Sequence, residues 1–381
     1  MRRYRRALLV LMLVGCLGLA ACGGTQAADD GSVPIGTRVL EAPEKDTAKD
    51  GLEEKDLSSR TVAPSGAAPV SGLSPVALPA PAGALPDPLP APATPVHGTP
   101  AAVWQPLLQR LAADGIAGPD VTALFAALPA EATQSPMGRK MKELYRKRFM
   151  PAPPVTGKPR MQYYKGVVTE ANARTCAAFV RENEAAFRKA RESYGVPPQV
   201  AVALLLVETR LGRVLGDVKE NAFYTLASMA VSRDVDSISQ WLPQLPGYQK
   251  HLDWFAETMP KRADWAYRET RALVEHMLRD QVPAEHLPGS IYGAVGLCQI
   301  MPSNISTYGA DGDGDGRVDL FTIPDAVASL SHYLYKHGWR AGLSRQRQHA
   351  LLMRYNKSTV YANTILALAD LVAKQLQGKG V

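Results

Sequence analysis

Residues 196–213, VPPQVAVALLLVETRLGR, decide how this chain folds. Pro197 and Pro198 suit the first turn of a helix, where backbone N–H groups lack intrahelical partners. Eight apolar residues follow in succession at 200–207, so the helix is predicted to be buried on all sides rather than on one face. Glu208 comes next, and its neighbours at helical spacing are apolar or small. These neighbours are Ala201, Leu204, Leu205 and Gly212.

The surroundings of Glu208 leave two interpretations open. A carboxylate placed among apolar side chains loses water, which disfavours its charged form. Glu208 is therefore either paired with a cation or kept protonated as an acid. Arg210 and Arg213 are close enough in sequence to pair with it, and structural ion pairs also perturb pKa values.

The N-terminus is typical of an exported lipoprotein. The basic sequence MRRYRR precedes an apolar run at residues 7–21, which is the layout of a secretory signal. The run is short for a membrane span. It ends in Leu-Ala-Ala-Cys, which resembles a bacterial lipobox with Cys22 as the lipidated first residue of the mature protein. Residues 1–21 are thus predicted to be a signal peptide, with plain secretion as the alternative. Gly23 rather than Asp follows, so the resemblance implies a periplasmic protein anchored to the outer membrane.

Residues 22–100 are predicted to form a disordered tether. A mixed-charge stretch without aromatic residues is followed by residues 61–100, which contain eleven prolines. Such a composition cannot bury enough apolar surface to offset the entropy of ordering. Proline-rich chain is semi-extended and serves as a spacer. The folded domain is expected to begin at residue 101 and to continue to residue 381.

Charge and cysteine usage restrict the class of partner. The chain carries a formal charge of +7, to which residues 1–21 contribute +4, residues 22–100 contribute −5 and residues 101–381 contribute +8. A basic domain in the cell envelope favours an anionic polymer as its partner. The export signal and the lack of a basic or aromatic nucleic-acid motif argue against nucleic acid. Cys176 and Cys298 remain after the signal, either as a disulfide or as two buried thiols.

Helical periodicity predicts an all-α domain, without β-type alternation or internal repeats. A region at residues 230–260 has no clear pattern. Besides the Glu208 helix, helices are predicted at residues 104–111, 121–128, 139–148, 162–194, 222–229, 265–278, 326–337 and 350–376.

Three further stretches carry a family resemblance. They are residues 289–303 (GSIYGAVGLCQIMPS), 311–325 (DGDGDGRVDLFTIPD) and 354–362 (RYNKSTVYA). Together with ETRLGR they occur in the order and approximate spacing of B-type lytic murein transglycosylases, glycoside hydrolase family 103. The resemblance covers roughly residues 101–378 and implies a lysozyme-like, mainly α-helical catalytic domain.

The resemblance implies that Glu208 is the only catalytic carboxylate. It would protonate the glycosidic oxygen between N-acetylmuramic acid and N-acetylglucosamine in peptidoglycan. It would then act as a base on the muramic C6 hydroxyl, which closes onto C1 as a 1,6-anhydro sugar. Most glycosidases need two carboxylates, but here the substrate supplies the nucleophile. A hydrolytic muramidase of the same fold and a non-catalytic peptidoglycan-binding lipoprotein are the alternatives.

The same resemblance implies a set of substrate-binding residues around the cleft. Ser290 is expected to contact an acetamide or to hold Glu208. Gly293 and Gly296 either let backbone approach a ligand closely or form a tight turn. Compared with typical members of the family, this chain has an additional segment at roughly residues 229–259. The residues that follow it resemble a family Pro-Arg-Arg-Ala sequence. The implied binding residues are Ser290, Gln299, Tyr355, Asn356, Tyr361 and Arg262.

Residues 311–325 resemble an EF-hand loop. Acidic residues at loop positions 1, 3 and 5, Gly316 at position 6 and a backbone carbonyl at position 7 suit the oxygen coordination of Ca²⁺. Position 12 is Thr322 instead of Glu, and Asp325 can replace it if the loop is longer. Calcium is expected to be structural, with no cofactor for the chemistry, and a solvated acidic turn is the alternative. The predicted ligands are Asp311, Asp313, Asp315, the Arg317 carbonyl and Asp325.

Overall fold

The computed structural model describes residues 98–151, 162–216, 221–284 and 287–378. These ranges are helical apart from turns and three isolated β-bridges, which confirms the predicted all-α class. None of the described helices combines the length and apolar character that a membrane span requires. The predicted signal peptide, Cys22 and the tether as far as residue 97 lie outside the described residues.

Twelve α-helices and three short 3₁₀ helices form the described part of the chain. The 3₁₀ helices are Ala102–Trp104, Val235–Gln244 and Tyr248–His251. The α-helices are α1 (Gln105–Ala113), α2 (Pro119–Ala126), α3 (Ser135–Phe149), α4 (Glu170–Glu182), α5 (Glu184–Tyr194), α6 (Pro198–Thr209), α7 (Ala222–Val231), α8 (Leu252–Asp280), α9 (Pro302–Tyr308), α10 (Ile323–Lys336), α11 (Arg345–Tyr355) and α12 (Thr359–Gln377).

Helix α6 is the central element, as its uninterrupted apolar run predicts. It contacts α4, α5, α10 and α12, so nearly every side chain along it is buried. Pro197 and Pro198 begin the helix, and Arg210 ends it by adopting a left-handed conformation. Glu208 therefore lies in the last turn of a helix that is wrapped on all sides.

Two of the predicted helices are interrupted by local capping. The stretch predicted as one helix at residues 162–194 is instead two helices, α4 and α5, which are separated at Asn183. Helix α4 begins only after Thr169, whose side chain accepts a hydrogen bond from the Asn172 N–H. The stretch predicted at 350–376 is α11 and α12, and the Ser358 side chain caps α12. Such side chains compete with continued helix for backbone N–H groups.

Helix α8 is longer than the sequence pattern predicts. It begins at Leu252 rather than near Trp265 and continues through Pro260. Proline removes one backbone hydrogen bond from a helix interior. Phe255, Met259 and Ala263 lie at spacings of four and are buried, so packing on one face maintains the helix through the proline.

The additional segment at 229–259 packs against α3. A Cβ added to Gly138 in α3 would lie 2.3 Å from the Trp241 ring, so this ring sits directly on the helix backbone. The Tyr145 hydroxyl donates to the Pro246 carbonyl at 2.8 Å, and the Phe149 ring stacks on His251 with 3.9 Å between centroids. The segment predicted as irregular is thus an ordered part of the domain.

Cys176 and Cys298 are both buried and unpaired, which settles the alternative in favour of two thiols. Burial raises the pKa of the Cys176 thiol to about 12. Both thiols therefore remain protonated and behave as small apolar side chains.

We expect the substitution Gly138→Ala to destabilise the domain. Alanine normally stabilises a helix interior by up to about 1 kcal/mol relative to glycine, but here the methyl group would overlap the Trp241 ring. Forcing the ring aside should cost about 1–3 kcal/mol, measured by urea unfolding. In a Trp241→Ala background the same change should be neutral or stabilising. A more stable Gly138→Ala single variant would contradict this packing.

Candidate active site

The Glu208 carboxylate is held by a tyrosine and not by an arginine. Its Oε1 accepts a hydrogen bond from the Tyr361 hydroxyl, which comes from α12. Arg210 and Arg213 are exposed, and no ion pair in the described ranges joins either of them to Glu208. The structural salt bridge considered above is therefore wrong, because the helix ends in a left-handed turn that directs the chain away after Thr209.

Desolvation sets the protonation of Glu208. Burial raises the pKa of this carboxyl group to about 7, and the hydrogen bond from Tyr361 partly opposes that shift. Burial and the neighbouring carboxylate raise the pKa of the Tyr361 hydroxyl well above its ordinary value, so it remains a neutral donor. Near neutral pH Glu208 can therefore give up a proton and take one back, as a general acid and base must.

Three side chains attach the turn at residues 296–300 to the end of α6 and to α11. The Thr209 hydroxyl donates to the Leu297 carbonyl at 2.8 Å. The Tyr355 hydroxyl donates to the Cys298 carbonyl at 2.6 Å. The Gln299 amide donates to the Leu215 carbonyl at 3.0 Å, just beyond the end of α6. The three bonds join residues that are 88, 57 and 84 positions apart in the sequence, so the motifs meet beside Glu208.

Backbone strain is concentrated at this junction. The non-glycine residues with positive φ in the described ranges are Arg210, Leu211, Gln281 and Gln299. Three of the four flank Glu208 or belong to the turn at 296–300. Non-glycine residues are held in this region only when surrounding contacts enforce it, and such residues cluster at functional sites.

Two of the predicted substrate-binding residues are scaffold residues in the structure. Ser290 is fully buried, and its hydroxyl oxygen accepts from the Ala294 N–H at 3.0 Å, closing a turn. Tyr355 is 1% exposed, and its ring packs edge-on against Tyr333. The hydrogen bonds that these two side chains make are internal to the domain, and substrate contact by Ser290 and Tyr355 stays a prediction.

The remaining predicted binding residues differ in their surroundings. Gln299 is buried, and its Oε1 has no partner among the described residues although its amide nitrogen makes two bonds. Asn356 is half-buried directly after α11. Arg262 lies in α8 with a buried Nε that has no partner, and no described hydrogen bond or ion pair links it to Glu208. Substrate contact by Gln299, Asn356 and Arg262 stays a prediction.

Gly293 and Gly296 serve internal packing, contrary to the expectation that they admit a ligand. Both have positive φ. A Cβ on Gly293 would lie 2.3 Å from the Leu226 side chain, and one on Gly296 would lie 2.4 Å from the Leu320 Cβ. The tight-turn alternative is therefore the correct one.

The acidic loop brings its carboxylates together as predicted. Side-chain oxygens of Asp311, Asp313 and Asp315 lie within 4.8 Å of one another. Asp325 is buried in the first turn of α10, where its two oxygens accept from the Gly312 and Asp319 N–H groups at 2.6 Å each. Burial raises the pKa of Asp325 to about 6, and the adjacent aspartates add to the shift.

This donor set fits a hard cation. It consists of carboxylate oxygens, the ligand type that Ca²⁺ prefers. The Arg317 side chain is exposed and its N–H bonds the Asp315 carboxylate at 2.8 Å, which leaves the carbonyl as the only ligand it could offer. The loop also touches the active site, because the Leu297 N–H donates to the Leu320 carbonyl at 2.9 Å.

A family model described as the transglycosylase SLT domain matches residues 100–351. The chain belongs to this family. It is 30% identical over 182 residues to the membrane-bound lytic murein transglycosylase B of Escherichia coli, across 48% of this chain and 43% of that protein. The chain thus spans less than half the length of this curated relative.

Two solved structures share the fold. SltB3 of Pseudomonas aeruginosa, in complex with NAG-anhNAM-pentapeptide, superposes with a TM-score of 0.54 at 19% identity, covering 71% of this chain and 78% of that one. The Escherichia coli lytic transglycosylase Slt35, in complex with calcium, gives 0.51 at 21% identity, covering 74% and 99%. These two structures confirm the predicted lysozyme-like fold, and the match to the family model confirms the family resemblance.

Sequence reasoning missed two groups that build the site. Thr209, directly after Glu208, ties α6 to the turn at 296–300. Glu269 in α8 is buried and accepts from the backbone N–H and hydroxyl of Ser303 at 2.9 and 2.8 Å, which fixes the start of α9. The Ser303 contact carries no sequence signal, whereas Thr209 lies inside a motif already identified.

We expect a carboxyl-carbon NMR titration to give Glu208 a pKa of about 7, as its burial implies. The Tyr361→Phe variant should have a higher value, since the lost hydrogen bond stabilises the charged form. The pKa of Glu208 is higher in the folded than in the unfolded state, so the stability that its protonated form contributes is lost as the pH rises from about 4.3 to 7. This decrease in the free energy of unfolding, on the order of 3 kcal/mol in the wild type, should be absent from the Glu208→Gln variant. A pKa of Glu208 near 4 would refute the desolvated carboxyl group.

Proposed function

We propose that this protein is a lytic transglycosylase that cleaves the β-1,4 bond between N-acetylmuramic acid and N-acetylglucosamine in peptidoglycan. The observation that carries the proposal is the desolvated Glu208 with a pKa of about 7, hydrogen-bonded to Tyr361. The membership of the SLT domain family supports it. So do the name of the Escherichia coli relative and the NAG-anhNAM-pentapeptide complex of SltB3.

The geometry suits one carboxyl group acting twice. Protonated Glu208 gives its proton to the glycosidic oxygen as the bond from that oxygen to C1 of the muramic residue breaks. The Tyr361 hydroxyl stabilises the resulting carboxylate. The carboxylate then takes the proton of the C6 hydroxyl while the C6 oxygen bonds to C1, giving a 1,6-anhydro sugar and restoring protonated Glu208. No metal or organic cofactor takes part in either step.

Mass spectrometry of sacculi digested with the protein tests this reaction. We expect muropeptides with anhydro ends, about one water lighter than hydrolysed products, because the muramic C6 hydroxyl replaces water as the nucleophile. The Glu208→Gln variant should fold normally and lose at least about 10³-fold in rate, since neither proton transfer remains.

Other products would point to other functions. Reducing ends in place of anhydro ends would identify a hydrolytic muramidase of the same fold. Retained sacculus binding without any turnover would identify a non-catalytic binding protein. Substantial turnover by Glu208→Gln would overturn the assignment of the acid and base.

We further propose that the mature chain is attached to a membrane of the cell envelope through lipid on Cys22, with residues 22–100 as the spacer. The lipobox-like sequence and the membrane-bound Escherichia coli relative support this attachment. The outer membrane, from the periplasmic side, is the proposed location. Labelling with a radioactive fatty acid, with the Cys22→Ser variant as the control, tests the lipid attachment at Cys22.

We propose that the loop at residues 311–325 binds Ca²⁺ through carboxylates and one carbonyl. The clustered oxygens of Asp311, Asp313 and Asp315 support this site, as does the calcium complex of Slt35. The ion would hold the loop that supports the turn at 296–300 and would take no part in the reaction. The proposed ligands are Asp311, Asp313, Asp315, the Arg317 carbonyl and Asp325.

We expect Ca²⁺ to raise the melting temperature of the protein. At a hundredfold excess over its Kd, a ligand specific to the folded state adds about 2.7 kcal/mol of stability. Asp311→Asn combined with Asp313→Asn should abolish the shift. Arg317→Ala should keep the shift, because only its carbonyl would be a ligand. Equal melting temperatures for the wild type in Ca²⁺ and in chelator would refute the site.

A further inference from the structure

Helix α3 carries a concentrated positive charge that the proposed chemistry does not use. It contains six Lys and Arg residues and a single acid, Glu143. Three of the bases, Arg139, Lys142 and Arg146, occur at spacings of three and four and therefore lie along one face. We call these three residues the basic ridge.

The ridge residues form no ion pair with a carboxylate of the described chain, although Glu143 lies on the same face of α3. Within the described ranges, no ion pair involves Arg139, Lys142 or Arg146, although Lys140 pairs with Glu143. Burial, Arg146 and Arg139 lower the pKa of Lys142, so the cations crowd one another. Like charges at this spacing are mutually unfavourable, and an anionic ligand would relieve the repulsion.

Helix α3 passes beside the motif at residues 289–303. The Nζ of Lys140, which follows the ridge residue Arg139 directly, lies 5.2 Å from the ring centroid of Tyr292 in that motif. From Arg139 to Arg146 the ridge extends for about 10 Å along α3. An extended peptide of about three residues, at about 3.3 Å per residue, covers this length.

Trp241 supplies an apolar surface beside the cations. This residue belongs to the additional segment at 229–259, and its half-buried indole rests on Gly138. The Lys142 Nζ lies 5.7 Å from the indole and bonds the Gln244 amide oxygen at 2.6 Å. A cationic row beside an aromatic ring suits a ligand with carboxylates and short aliphatic side chains.

A membrane surface fits the ridge less well. Helices that lie on membranes expose an apolar face beside their basic one. The apolar residues of α3 lie in the domain core or pack against it, and of the exposed large apolar side chains of the described chain one, Met150, directly follows the helix. Those exposed residues are Met150, Tyr163, Leu252 and Leu278.

We propose that the basic ridge, with Trp241, binds the carboxylates of the acidic peptide stems attached to the glycan strand. The proposal rests on the proposed function and adds the recognition of a second part of the same substrate. The ridge would bind a stem while Glu208 acts on the glycan.

Binding is measured apart from turnover, so that failure of this inference and failure of the proposed activity are distinguishable. The probe is a fluorescent stem tetrapeptide with free carboxylates, compared with the same peptide carrying amidated carboxylates. The wild type should prefer the free acid. Replacing Arg139, Lys142 and Arg146 together by Gln should weaken its binding about tenfold, as three partly exposed charge contacts allow.

A matched control removes the same charge elsewhere. Arg174, Arg191 and Arg347 are exposed on α4, α5 and α11, and their joint replacement by Gln should leave the Kd unchanged. If both triple variants bound the peptide equally weakly, the effect would depend on net charge alone, and the proposal would be overturned. Equal affinity of the wild type for the free and amidated peptides would also overturn it.

Two further readouts decide the partner. On peptide-bearing strands the ridge variant should raise KM and keep kcat, whereas peptide-free strands should show no change. If the ridge variant instead loses binding to vesicles of phosphatidylglycerol and phosphatidylcholine and keeps its peptide affinity, the partner is a membrane and the peptide proposal is wrong. Should the wild type cut no glycan at all, the peptide Kd values still test the ridge.

Discussion

The desolvation of one carboxyl group is the constraint on which the rest of the structure depends. Glu208 reaches a pKa of about 7 because the helix that carries it is wrapped on all sides. Such wrapping requires neighbours around the whole circumference of α6, and α4, α5, α10 and α12 provide them. The Tyr361 hydroxyl then supplies one hydrogen bond to the half-buried carboxyl group. An unpartnered buried carboxyl group would be costly, whereas this one is satisfied without a cation that would hold it charged.

The motifs around Glu208 act as one connected scaffold. Thr209 and Gln299 tie the end of α6 to the turn at 296–300, and Tyr355 ties that turn to α11. The same turn also bonds to Leu320, near the end of the acidic loop. Strained left-handed residues persist at this junction because several bonds converge there. The acidic loop is therefore linked to the end of α6, where Glu208 lies, through the bonds that Leu297 makes to Leu320 and Thr209.

Sequence patterns predicted the helical class, the buried helix α6 and the environment of Glu208, because these follow from apolar periodicity and its interruption by one acid. They did not predict which motif side chains face the interior. Ser290 and Tyr355 belong to the right motifs, yet their hydroxyl groups bond backbone within the domain. Helix boundaries failed at Asn183, whose side chain donates to the Phe179 carbonyl, and at Ser358, whose side chain accepts from the Tyr361 N–H. They also failed at Pro260, where packing overrides a local breaker.

The positions of the positive charges agree with what Glu208 requires. A basic domain attracts an anionic polymer, but a cation beside Glu208 would favour its charged form and lower its pKa. Arg210 and Arg213, the nearest bases in sequence, are exposed and unpaired with it. The dense cluster of bases lies on α3 instead, a separate helix supported by the additional segment at 229–259. Separating the cations from the acid lets a basic domain keep a carboxyl group that is partly protonated near neutral pH.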